Sequence, residues 1–371
     1  MKNERIAAAA AWLKEEKLAG LIAFNDGQNS FLDSNAVYVF SNLRPIGRSA
    51  VIIAQDGTST LLIEPSWDGS RAQKKASNTR IIACDDLARA LQDELARYDF
   101  LNAELAVVGL AKQSRALDRA VRAMLSKSPR MADTLASHLA RIRNAEELAH
   151  VKKAVWIAER GYERLIEMAK PGMREYELAA DIYTFMKELG AEDNFLLMSA
   201  SQHNLAVRAA GRRILQEGDI ILGEITPCYQ GQFVQICRTT VLGQASPLLS
   251  DKYALLQDAM RRGLEAAVPG ATMGEVTEAM NEAFRKAGYG DYCRPPYMRV
   301  RGHGLGVTSD RPGDLVDDSL VKLEEGMVFV MHPNQYIPET GYLMCGETIV
   351  ISHNGGISLS DVDSRLDVKI V

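Results

Sequence analysis

A carboxylate at the end of an apolar run, two histidines beside glycine or proline, and a set of arginines mark where this chain could do chemistry. Glu224 follows Ile220, Ile221 and Leu222 in the stretch Gly218–Gly243, GDIILGEITPCYQGQFVQICRTTVLG. An acidic side chain leaving an apolar strand is costly unless it has partners or a task. Its aliphatic surroundings should raise its pKa, which suits a general base or acid near neutral pH. The same group could instead attack as a nucleophile, or pair structurally with an arginine such as Arg238. His303 lies within Gly302–Gly306, where missing side chains let a ligand come close, and His332 precedes Pro333. Each histidine alone reads more readily as a hydrogen-bonded structural residue.

Arginines crowd these positions: Arg208, Arg212 and Arg213; Arg294, Arg299 and Arg301; Arg311; and Arg48 far upstream. Most would line a solvated face. Arg301 lies two residues before His303 and Arg299 two before that, so a strand would put all three on one face. A guanidinium fork there would clamp a carboxylate, which points to a small anionic or zwitterionic substrate bound by Arg48 and Arg301. Gln235, Tyr297 and Glu347 are candidate orienting groups. Cys237 faces the same hairpin and reads as a reduced core thiol before it reads as a nucleophile.

The elements that must position these groups follow from periodicity. Leu18–Phe24, Ala36–Phe40, Ser49–Ala54 and Thr60–Pro65 read as strands, the last two joined by an Asp56-Gly57 turn. Helical spacing appears over Asp86–Tyr98 and Ala116–Ser126, with a strand at Glu104–Val108 between them. A long charged helical stretch begins at about Asp133 and stops at Lys170-Pro171-Gly172. These signals divide the chain into a mixed α/β domain, residues 1–132, and a second domain, residues 133–371. In the second, Lys170-Pro171-Gly172 and Val268-Pro269-Gly270 each precede a helix. Glu224 then follows Glu217 at the spacing by which His332 follows Glu325. A pseudo-two-fold repeat would set Glu224 and His332 across one cleft.

Composition bounds the class. With 371 residues, 47% hydrophobic and 25% charged, the chain reads as a globular protein of two domains. A net charge of -5 gives no general attraction to nucleic acid or to an anionic membrane. The five cysteines form no C-x-x-C pair, which favours reduced thiols and a cytoplasmic setting. No apolar run is long enough to span a bilayer, and the Ala7–Ala11 run is broken by Lys14–Lys17 before it could act as a signal core.

Five motifs carry a resemblance. They are GD-x4-E at Gly218–Glu224, Arg238-Thr239, GHG-x-G at Gly302–Gly306, EGMVF at Glu325–Phe329 and ETIVIS-x-x-G at Glu347–Gly355. Residues 140–360 resemble the pita-bread fold of methionine aminopeptidases, prolidases, aminopeptidase P and creatinase, and the first domain resembles the smaller domain of creatinase and prolidases. The resemblance implies an α+β fold and a creatinase-like homodimer, each pocket completed by the neighbouring copy's first domain. Arg48 matches the arginine that reaches a substrate carboxylate from that copy. The family's peptidases hold two metal ions with two Asp, one His and two Glu. Carried over, those positions are Glu224, Gln235, His303, His332 and Gly346, a set that has lost most of its charge.

The creatinase base falls at Val207 or Arg208, and its guanidinium-binding glutamates at Cys237 and Gly346, so those functions are not kept. The remaining similarity is to ectoine hydrolase, a metal-free branch with a Glu at the position of Glu224. At motif positions facing one carboxylate, His303 and His332 become candidate acid/base groups. Glu347 could compensate for Gly346. The expectation is a metal-independent hydrolase of a C–N bond, in an amide, amidine or cyclic amidine of a small carboxylate-bearing molecule. It would have no cofactor, with Glu224 activating water or attacking and the histidines protonating the leaving nitrogen. Rival readings are a mononuclear metal hydrolase using Glu224, His303 and His332, a lyase on the same scaffold, and a non-catalytic peptide-binding module.

Overall fold

Continuous apolar runs in the first part of the chain form strands buried on both faces. The computed structural model describes residues 4–28, 31–32, 35–76, 79–306, 313–362 and 364–370, so Arg311 lies outside the described residues. The chain divides into two compact units, Met1–Ala140 and Arg141–Val371. The first contains β1 (Gly20–Asn25), β2 (Ser49–Ala54), β3 (Ser59–Ile63), β4 (Arg80–Ala83), β5 (Leu105–Val108) and β6 (Arg130–Met131). They form one six-stranded sheet in the order β4-β3-β2-β1-β5-β6. Its helices are α1 (Glu4–Glu15), α2 (Ala36–Ser41), α3 (Gly69–Lys75), α4 (Leu87–Arg97), α5 (Arg115–Met124) and α6 (Asp133–Ala140). Leu87, Leu91 and Leu95 on α4 and Leu117 and Val121 on α5 recur at helical spacing and pack with Ile22, Ile52 and Val107 of the sheet.

Three expectations are corrected here. Ala36–Phe40 is helical: Asn35 caps it, its side chain accepting from the Tyr38 amide at 2.9 Å, and every residue of α2 is buried. A short run apolar on all sides carries no period to separate helix from strand. The boundary falls after Ala140 and not after Ala132, because α6 packs within the first unit against α2 and β5. The long helical stretch is two helices, interrupted at residues 141–144, where Asn144 and Glu147 form a capping box that starts α7 (Ala145–Met168).

The second unit continues with α8 (Glu175–Glu188), β7 (Asp193–Ser201), β8 (Ile220–Tyr229), β9 (Gln232–Phe233) and β10 (Ile236–Leu242). After α9 (Pro247–Ala266) and α10 (Met273–Lys286) come β11 (Gly302–Gly304), β12 (Val328–Met331), β13 (Gln335–Ile337), β14 (Gly341–Leu343), β15 (Glu347–Ser352), β16 (Gly355–Ser358) and β17 (Leu366–Lys369). One sheet runs β17-β10-β8-β7 with β9 paired to β8; another runs β11-β12-β15-β16; β13 and β14 form a hairpin. Each large sheet follows a helix started near a Pro-Gly pair, as the repeat predicts. The sheets are stitched by reciprocal backbone hydrogen bonds between Cys237 and Gly346, both 3.0 Å. Gln230 and Gly231, with φ of 47° and 77°, make the turn of the Gly218–Gly243 hairpin.

Candidate active site

Alternation along β8 sends Gly223 and Glu224 to opposite faces. At Gly223 the sheet lies under α7, where an added Cβ would stand 3.5 Å from Leu165 Cδ1. Glu224 therefore faces away from that helix, with Cys237 on β10 and Leu197 on β7 as cross-strand neighbours. Its side chain keeps some surface, yet it has no hydrogen bond or ion pair among the described residues. Burial with nothing to offset it pushes the carboxyl up to about 7.

The two histidines meet at the edge of the other sheet. His303 on β11 pairs with Val330, and His332 follows the end of β12. Their ring centroids are 5.5 Å apart at an interplanar angle of 65°. His303 Nδ1 lies 2.9 Å from the Gly304 carbonyl, an acceptor, so that nitrogen carries the proton. Burial lowers the His303 pKa against the opposing effect of this bond. His332 is more extreme: burial, then the neighbouring His303 and Arg301, lower it to about 3, and its Nδ1 is buried with no hydrogen-bond partner. Burial therefore disfavours the protonated form of both rings, that of His332 most strongly.

Gly346 shows how the sheets close on one another. A Cβ there would lie 2.7 Å from His332 Cβ and 2.9 Å from Cys237 Cβ. Cys237 is fully buried, and burial, then the charge of Glu224, raises its thiol well above the usual range, so it is a packed thiol and no nucleophile. Gln235 Nε2 donates to Cys237 Sγ at 3.6 Å, while its Oε1 accepts from Thr226 Oγ1 at 3.4 Å. It stands on the Glu224 face.

The proposed arginine clamp is corrected. Arg301 is 0% exposed and donates to Asn281 Oδ1 at 2.7 Å, the Asn334 carbonyl at 2.8 Å, Gln335 Oε1 at 2.7 Å and Cys293 Sγ at 3.4 Å. Burial with no carboxylate directly on it lowers its pKa to about 10. It braces the His332–Gln335 turn, whose His332 amide also donates to the Arg301 carbonyl at 2.9 Å. β11 begins only at Gly302, so Arg299 does not share a strand face with His303; it is exposed. Arg48 belongs to the first unit, where its Nε lies 2.5 Å from Glu64 Oε2.

Glu347 is not a compensating ligand: it is 3% exposed and pairs with buried Arg238 at 3.0 Å, while Ser360 donates to its other oxygen. That ion pair also removes Arg238 as a structural partner for Glu224. Tyr297, 40% exposed, stacks on Tyr336 with centroids 5.4 Å apart. Across the β13–β14 hairpin from Tyr336 stands Tyr342, whose phenol is pushed up by burial and then by Glu224. Sequence reasoning missed Tyr342, Asn334 and Asn281; no local pattern marks them, because their roles come from neighbours distant in the chain.

Residues 149–360 match the model of metallopeptidase family M24. The chain belongs to that family. A Xaa-Pro dipeptidase of Pyrococcus furiosus is 26% identical over 95% of this chain and 99% of its own length. An uncharacterized peptidase of Bacillus subtilis, YqhT, is 30% identical over 61% of this chain and 64% of its own. The crystal structure of the prolidase from Pyrococcus horikoshii superposes with a TM-score of 0.85 at 21% identity, covering 98% of this chain and 99% of that one. The pita-bread α+β fold with its smaller preceding domain is thereby established.

Membership in a metallopeptidase family requires asking whether these residues fit a metal pair. They do not fit the carboxylate-rich set of the family's peptidases. Gly346 cannot carry a ligand without displacing His332 and Cys237, and Gln235 is a neutral amide engaged with Thr226 and Cys237. Among the described residues no three of His, Cys, Asp and Glu are grouped to hold a metal ion, and no helix is long and apolar enough to cross a membrane.

Proposed function

We propose that the chain is a hydrolase that cleaves a C–N bond in a small molecule by metal-independent acid–base chemistry centred on Glu224. One observation carries this reading: a carboxyl without partners, held at about 7, in a site whose other ligand positions are neutral. Ionised Glu224 takes a proton from water as the water oxygen bonds to the carbon. Protonated Glu224 then gives that proton to the nitrogen as the C–N bond breaks. Neutral His332 is suited to hydrogen-bond the tetrahedral oxyanion through a ring N–H and not to act as an acid. The carboxylate-bearing substrate loses its main support with Arg301 committed to protein acceptors. The same reading includes a homodimer in which the neighbouring copy contributes Arg48, tested by light scattering of the purified chain.

A second reading, an Xaa-Pro dipeptide as substrate, is favoured by the relative from Pyrococcus furiosus, named for that activity. The deciding experiment assays small amides, amidines and Xaa-Pro dipeptides before and after exhaustive chelation, with product analysis in heavy-oxygen water. Label uptake that persists after chelation and disappears in Glu224→Gln is expected. Turnover that depends on added metal, or survives in Glu224→Gln, overturns the proposal.

A further inference from the structure

Resting on the proposed function only for where the reacting group lies, we infer that Tyr297 and Tyr336 form a stacking platform for a planar aromatic ring, selecting an arene over a saturated ring of the same size. Four rings from three separate segments meet there. Tyr297 stacks on Tyr336 with centroids 5.4 Å apart and planes 25° apart. Tyr292 meets Tyr297 edge-on at 4.8 Å and lies 5.9 Å from Tyr336. His203 meets Tyr336 edge-on at 5.9 Å. The group is open to solvent: Tyr297 and His203 are exposed, and Tyr292 and Tyr336 are half-buried. Clustered aromatic surface left in water is a mark of a binding site.

A second, independent feature lies beneath the rings. Gln335 is fully buried, and its Nε2 donates to the Tyr292 carbonyl at 2.8 Å and to the Tyr336 carbonyl at 2.9 Å. One amide therefore fixes the backbone under two of the tyrosines. Gln335 Oε1 accepts from Arg301 at 2.7 Å, Arg301 donates to Asn281 Oδ1 at 2.7 Å, and Asn281 Nδ2 donates to Asp317 Oδ1 at 2.7 Å. On the outer side, His203 Nε2 lies 3.0 Å from the Pro338 carbonyl, an acceptor. Rings that only cover a surface need no such frame, whereas rings that bind a ligand gain affinity from being held in place beforehand.

The platform continues outward from the carboxyl. β13 and β14 set Tyr336 directly opposite Tyr342, so both side chains leave the same face of the hairpin. The Tyr342 phenol in turn feels the charge of Glu224.

The charges on these segments choose no ion. Arg294 pairs with Asp291 at 3.2 Å, and Glu339 accepts from Tyr289 at 3.0 Å, leaving exposed Arg299 to oppose a cation. What remains is the π faces. An arene meets them offset-stacked or edge-on through complementary quadrupoles, an attraction beyond the area buried that a saturated ring lacks.

The test titrates the intact chain with benzyl alcohol, cyclohexylmethanol and tetramethylammonium, none of them an amide or amidine, reading affinity by NMR of ring-labelled tyrosine. Benzyl alcohol should bind at least about threefold more tightly than either of the others and shift the Tyr297 and Tyr336 signals. It should lose about threefold or more in Tyr297→Leu and recover in Tyr297→Phe. Equal or tighter binding of cyclohexylmethanol or tetramethylammonium, no detectable binding of benzyl alcohol, or undiminished affinity in Tyr297→Leu overturns the inference. The three wild-type titrations decide it even if neither variant folds. Ring selection with no hydrolysis of any C–N bond would leave this inference standing and remove the hydrolase reading; hydrolysis with no ring selection would do the reverse.

Discussion

Glu224 carries a stability cost that its substitution should reveal. Its folded-state pKa of about 7 lies above the ordinary carboxylate value of 4.5. As pH rises past the ordinary value, the unfolded chain releases this proton while the folded chain keeps it. The folded state therefore loses relative stability up to about pH 7, and the penalty is constant beyond. Glu224→Gln should stabilise the protein at pH 8 by about 3 kcal/mol, and by much less at pH 4, in urea unfolding followed by circular dichroism. No pH dependence of the difference would show that the carboxyl has a partner. In activity, a base of this pKa predicts kcat/KM rising with pH and levelling above about 7.

Arg301 makes the opposite prediction. Arg301→Met removes the donor for three oxygen acceptors in a buried turn and should cost about 3 kcal/mol or more, read from the urea midpoint; a substrate clamp would instead leave stability unchanged and raise KM. Glu224 and the histidines stand out in the sequence because a charge ending an apolar run, or a ring beside glycine, is locally anomalous. Arg301's role was not, since its acceptors come from α10, the 293 region and the 334–335 turn.

At the scale of elements, helices were read from apolar spacing, and the Asn144–Glu147 capping box is a start that the charged stretch concealed. Asn144→Ala should lower stability by about 1 kcal/mol by thermal melting. The strand Ser49–Ala54 was read correctly in both bounds, with the glycine turn behind it to fix the hairpin. The segment Ala36–Ser41 was misread because burial on every side erases the period. The stitch between sheets is invisible to any local pattern: its tightness at Gly346 is a tertiary fact. Gly346→Ala must displace His332 or Cys237 and should cost about 1–3 kcal/mol, measured against the wild-type melting curve; a neutral substitution would mean the niche is looser than its 2.7 Å approach.

For the whole molecule, the division at Ala140 separates two cores, one gathered around β1, β2 and β5 and one around α9, α10, β10 and β12. Each has the anatomy of an independently folding domain. A chain starting at Arg141 should therefore give a cooperative thermal transition with native-like circular dichroism; a non-cooperative melt would show that the second core depends on the first. The two-domain plan was legible from length and composition, and the repeat in the second half from matching Pro-Gly pairs. Pairing across the halves was not, because nothing in either repeat names its partner residue.

The niche at Gly346 also gives the sequence a direction. No single substitution there can restore a carboxylate, since its first carbon would collide with His332 and Cys237. A route back to a ligand at that position has to shrink or move those two side chains first, so the order of changes matters as much as their identity. The same crowding bears on Gln235, because a carboxylate placed there would add a charge with no second carboxylate at position 346 beside it.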